Sequence, residues 1–186
     1  FQAWTQPLWL VLQAAPFVGL WLLVDDPARL MAFPGRDGDG TVMLLPFGLA
    51  LSMLLALLPQ IGAQADYLRF LPGTSRRRWW AAVIAGGPGW VLIGAAKLLL
   101  GAALAVFALD HGLAAARAAV PAEMLAVMFG AMTGSIGLAL LLTGLLVVVA
   151  QLKINVTNAY AGSLAWSNFF ARLTHSHPGR VVWVVF

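Results

Sequence analysis

Cysteine is absent from this 186-residue chain, which excludes disulfides and any cysteine-based metal or redox chemistry. Charge is scarce too. Only 10% of residues are charged, against about 25% in an ordinary soluble domain. With 61% hydrophobic residues and a mean hydropathy of +0.88, the composition is that of an integral membrane protein. No basic stretch precedes the first apolar run, so no secretory signal peptide is visible. Neither a Gly-rich phosphate loop nor HExxH occurs. His175 and His177 form an HSH pair, but a metal site needs more ligands than two. Ser163 and Ser167 form no catalytic set with those histidines. The expectation is therefore a protein that is not an enzyme and carries no cofactor. The net charge of +4 does not point to nucleic acid either. All nine arginines lie outside the apolar runs, where positive charge sets membrane topology.

What remains is a series of long apolar runs separated by short polar connectors. At about 20 residues per crossing, the spans are expected near residues 4–24, 42–64, 90–109 and 137–164, within a single transmembrane domain. A further span opens at 181–186. The chain begins without Met and stops inside VVWVVF, which suggests a piece of a longer protein. Pro7 and Pro16 interrupt the first run, and membrane helices tolerate proline when neighbours satisfy the freed carbonyls. The second run ends in LLPQIGAQADYLRF. Pro59 removes a backbone donor there and Gly62 loosens the chain, so a broken helix is expected near 56–66. From Leu125 onward the apolar stretch is too long for one crossing. It has room for two full crossings, but reads better as a partly embedded external helix, Leu125 to Gly134, followed by one long span. The segment Asp110 to Met124 is polar enough to lie outside the bilayer.

Charge counting orients these spans. The connectors at 25–41 and 110–124 hold Arg29, Arg36 and Arg117. Those at 65–78 and 166–180 hold Arg69, Arg76, Arg77, Arg78, Arg172 and Arg180, which places the second pair in the cytoplasm under the positive-inside tendency. Trp79 and Trp80, directly after the arginine triplet, fit a membrane interface.

The chain has two lysines, Lys97 and Lys153, and they are the charges that fall inside the spans. A lysine at mid-membrane costs about 2.5–3.5 kcal/mol on insertion scales, so it needs a partner, a cavity or a route to the surface. Lys97 reads as a side chain snorkelling to an interface. Lys153 lies in a cluster of amides: Gln151, Asn155 and Asn158 share one helical face at spacings of three and four. Amides offer donors and acceptors together, which is the chemistry needed to read a heterocycle edge. Gln60 and Gln64 repeat the spacing in the expected broken helix. The bland alternative is interhelical hydrogen bonding, and for Trp166 an interfacial anchor.

DYLRF at Asp66–Phe70 and NVTNAYAGSLAWSN at Asn155–Asn168 resemble two motifs of the nucleobase–cation symport family of purine–cytosine permeases and allantoin or hydantoin transporters. The first is similar to the D-F-x-R-F/Y after that family's sixth helix, the second to the N-x-x-N-x-Y-S/A-x-x-L of its eighth. The resemblance covers nearly the whole chain, from the fifth helix to the start of the ninth. It implies an all-α inverted-repeat fold of five plus five helices. It also implies that Asn158 hydrogen-bonds substrate, with the broken helix as the other wall. Two departures stand out. No tryptophan occurs near Leu57, and Lys153 replaces the Ser or Thr that sodium-dependent members carry about five residues before the asparagine.

The expectation is a multi-pass secondary transporter of the bacterial inner membrane, moving a nucleobase or related nitrogen heterocycle by alternating access. Asn158, Asn155, Gln60 and Gln64 would bind substrate. Lys153 would couple or replace the ion, so that transport is either coupled to a proton rather than sodium or uncoupled. The alternative is a permease-like sensory domain of a larger signalling protein such as a histidine kinase.

Overall fold

The computed structural model describes residues 2–35, 42–57, 75–86 and 89–175. Among these residues the chain is all-helical. Seven helices follow in order: α1 (Gln2–Leu23), α2 (Pro27–Met31), α3 (Leu44–Leu57), α4 (Arg76–Gly86), α5 (Gly89–Asp110), α6 (Pro121–Thr133) and α7 (Ile136–Thr174). Among the described residues three segments are long and apolar enough to cross a membrane: Ala3–Leu23, Val91–Asp110 and Ile136–Thr174. The expected broken helix lies outside the described residues beyond Leu57, as do DYLRF and the run at 181–186.

Helix boundaries follow local chemistry. Asp26 caps α2 by accepting from the Ala28 N–H at 2.9 Å, and Pro27 opens that helix, where its missing N–H costs nothing. Gly112 ends α5 in the left-handed region at φ 83°. The Leu113 N–H then reaches back to the Ala108 carbonyl and the Gly112 N–H to that of Leu109, the pattern that satisfies the last orphan carbonyls. Gly134, at φ 66°, separates α6 from α7. Ser135 next caps α7 through its hydroxyl, which accepts from the Leu138 N–H at 3.4 Å. Gly89 is required by a close approach: a Cβ there would lie 2.9 Å from the Ile84 carbonyl oxygen of α4.

The chain forms two compact units, one of Phe1–Gly19 with Leu125–Phe186 and one of Leu20–Met124. In the first, Leu12 of α1, Phe129 of α6 and Ala139 and Leu146 of α7 form a buried cluster, with Ala15, Leu125 and Leu142 packed on it. Pro16 is also fully buried, so the proline that breaks the α1 hydrogen-bond ladder sits inside the packing. Gly19 lets α6 lie close, because a Cβ at that position would meet the sulfurs of Met128 at 2.5 Å and Met132 at 2.8 Å. In the second unit Leu104, Val106, Phe107, Ala108, Ala118 and Met124 are buried. The short α2 is tied to the end of α5 by Arg29 and Asp110 at 2.9 Å. That pair is exposed and contributes little.

The first unit's cluster yields a stability prediction. Phe129→Ala should cost about 3–5 kcal/mol, the range for emptying an aromatic site in a packed core. Leu141→Ala, at a position 64% exposed, should change stability by less than about 0.5 kcal/mol. Denaturant titration in detergent micelles measures both, and equal effects would contradict the packing described.

Candidate functional site

Helix α7 carries most of the polar residues singled out above. It runs unbroken for 39 residues, about 58 Å at 1.5 Å per residue. The expected connector from Trp166 onward is thus a continuation of the helix as far as Thr174. No proline interrupts that stretch, and Trp166 stacks on Phe170 with ring centroids 5.6 Å apart. His175 ends the helix in the left-handed region, at φ 54°.

The helix has two distinct faces. Ala139, Thr143, Leu146, Val149, Lys153 and Leu164 are buried along one side. At 3.6 residues per turn, Gln151, Asn155 and Asn158 fall roughly 140–160° around the axis from Lys153. All three are exposed. Gly144 and Gly162 extend the same strip at either end by the same geometry. The structure therefore brings Gln151, Asn155 and Asn158 together on one open strip and places Lys153 on the opposite, packed side. Gln60 and Gln64 lie outside the described residues.

Hydroxyls and amides are used differently. The Thr157 hydroxyl donates to the Lys153 carbonyl at 2.9 Å, and the Ser163 hydroxyl donates to that of Tyr160 at 2.7 Å. Such back-bonding satisfies a hydroxyl within its own helix. Carboxamides are longer, carry donor and acceptor on one group, and are suited to partners beyond the helix. The buried hydroxyls of Thr143 and Ser167 have no hydrogen-bond partner among the described residues, a polar cost on the packed side for which no compensating contact is evident.

Lys153 is only 9% exposed. Its ammonium donates to the Thr5 hydroxyl at 3.4 Å, a long bond. It also lies 5.7 Å from the centroid of the Trp9 ring, within reach of the ring's negative face. Thr5 and Trp9 are four apart on α1, hence on one face. All seven acidic residues of the chain fall between Asp25 and Glu123, so no carboxylate side chain belongs to this unit. The charge thus meets a neutral hydroxyl and a π-face of α1. Sequence reasoning missed Thr5 and Trp9. The available signal was their i, i+4 spacing on an otherwise apolar helix, which marks a face without naming its partner.

Lys97, the other lysine, lies exposed on α5. Trp166 turns one ring face to Phe170 and an edge contact to Phe169, and so serves an aromatic cluster at the end of α7. Among the described residues no group of three or more His, Cys, Asp or Glu side chains is placed to hold a metal ion. No family model, curated protein or solved structure matches the chain.

The contact between Lys153 and Trp9 is open to a double-mutant cycle. Lys153→Met and Trp9→Leu should be non-additive in unfolding free energy by about 0.5–2 kcal/mol, the range for a partly desolvated cation–π pair. Strict additivity would show that the ammonium draws nothing from the ring.

Proposed function

We propose that the chain is part of a multi-pass membrane transporter for a small, uncharged, nitrogen-rich heterocycle of the nucleobase, allantoin or hydantoin kind. The observation that carries this reading is the exposed carboxamide strip of α7. Polar side chains at membrane depth are costly unless they face a partner or an aqueous cavity. Three carboxamides along one strip, with glycines at its ends, suit a flat ligand whose edge alternates donors and acceptors. Asn155, Asn158, Tyr160, Ala161 and Leu164 on this helix also carry the resemblance to the eighth helix of nucleobase–cation symporters.

The position of Lys153 supports a division of labour on one helix. Its ammonium points away from the strip and touches α1, so substrate and fixed charge occupy opposite sides of α7. A positive charge between two packed helices can take the place of a bound cation. On that reading transport is independent of sodium.

Binding of candidate heterocycles by the full-length protein tests both parts. Asn158→Ala should weaken binding by about 1–3 kcal/mol, the cost of leaving a buried polar partner unsatisfied. Replacing sodium with choline should leave the native affinity unchanged. An unaltered affinity in a well-folded Asn158→Ala variant removes Asn158 from the site, and strong sodium dependence of the native protein removes Lys153 from the role of the ion.

A further inference from the structure

We propose that the first turn of α4 is a docking site for the phosphate headgroups of anionic lipids. The inference rests on the membrane reading above but not on the α7 strip. Arg76, Arg77 and Arg78 open the helix in succession, and all three are exposed. No acidic residue occupies that turn, and among the described residues the ion pairs are made by Arg29 and Arg117 instead. The arrangement is electrostatically unfavourable by itself. The N-terminus of a helix already carries partial positive charge, so basic residues there are repelled and anions are attracted. Side chains on a helix lean towards its N-terminus. The three guanidinium groups, although fanned about 100° apart around the axis, therefore reach past the helix end together.

A second feature selects the kind of anion. Trp79 and Trp80 follow at once, 39% and 50% exposed, with their rings edge to face at 5.1 Å. Behind them Ala81, Ala82, Val83, Ile84 and Ala85 are apolar. Along α4 the order is cationic, then aromatic, then aliphatic, over about 16 Å. A lipid leaflet presents phosphate, then the interfacial region favoured by tryptophan, then hydrocarbon in the same order. A free phosphate or a nucleic acid would account for the arginines and leave the exposed tryptophans and the aliphatic turn without a partner. Guanidinium groups donate in pairs to phosphate oxygens, which adds geometric fit to charge. The cytoplasmic leaflet is the more anionic one, and the arginine distribution assigns this connector to that side.

The test uses the full-length protein in lipid nanodiscs of phosphatidylcholine alone or mixed with phosphatidylglycerol, with native mass spectrometry counting the lipids retained on release. The native protein should keep phosphatidylglycerol in preference to phosphatidylcholine. Each arginine near an anionic surface is worth about fivefold in affinity. The triple variant R76Q/R77Q/R78Q should lose roughly a hundred-fold, and each single substitution about fivefold, which preserves the test if the triple variant folds poorly. Arg117→Gln should leave the preference intact. Equal retention of the two lipids by an inserted native protein would overturn the docking site alone. So would an Arg117→Gln loss as large as the single α4 losses, or displacement of phosphatidylglycerol by inorganic phosphate, which would assign the site to a free anion. A native chain that enters neither bilayer would overturn the membrane reading itself, and this inference with it.

Discussion

A lysine buried in an apolar helix is the constraint on which the rest of the first unit depends. Burying an ammonium without compensation costs several kcal/mol, and the unit contains no carboxylate side chain to offset it. The compensation comes from α1, through the Thr5 hydroxyl and the Trp9 ring. Those contacts require α1 to lie against the Lys153 side of α7, and the cluster of Leu12, Phe129, Ala139 and Leu146 continues the same seam. With that side of α7 committed to packing, the carboxamides fall on the side left open. The open strip is thus a geometric consequence of where the charge is buried.

The short helix α6 completes the arrangement. Its Met128 and Phe129 are almost wholly buried, and unbranched methionines fill the gap left by Gly19 without demanding one shape. The left-handed Gly134 and the Ser135 cap reverse the chain within two residues, so α6 packs on the seam that α7 itself lines. The second unit relies on different means: a capped turn at Gly112, buried side chains at the end of α5, and exposed ion pairs that add little.

Much of this was legible in the residues. Low charge and long apolar runs implied an all-helical chain, and the three long apolar helices agree with that. The break between α6 and α7 was readable because the apolar stretch from Leu125 is too long for one crossing. The common face of Gln151, Asn155 and Asn158 followed from helical spacing. The environment of Lys153 did not. Its hydroxyl partner Thr5 stands 148 positions away along the chain, and periodicity reveals which residues share a face but not which helix will cover it. The length of α7 was less legible for a related reason. The stretch from Trp166 is mixed in polarity and reads as a connector, yet the helix continues to Thr174 with Trp166, Phe169 and Phe170 packed on one another. An inverted-repeat transporter fold rests on the motif resemblance, whose first element lies outside the described residues.

The central claim is that α7 has one side sealed by α1 and one side kept for a polar partner. Spin labels placed singly along α7 measure this most directly in the full-length protein in bilayers, read by accessibility to a water-soluble nickel complex and to oxygen. The account predicts nickel accessibility at Gln151, Asn155, Asn158 and Gly162, recurring every three to four residues, with low accessibility to both probes at Leu146, Val149 and Lys153. High oxygen and low nickel accessibility at the carboxamide positions would place the strip against lipid and contradict it.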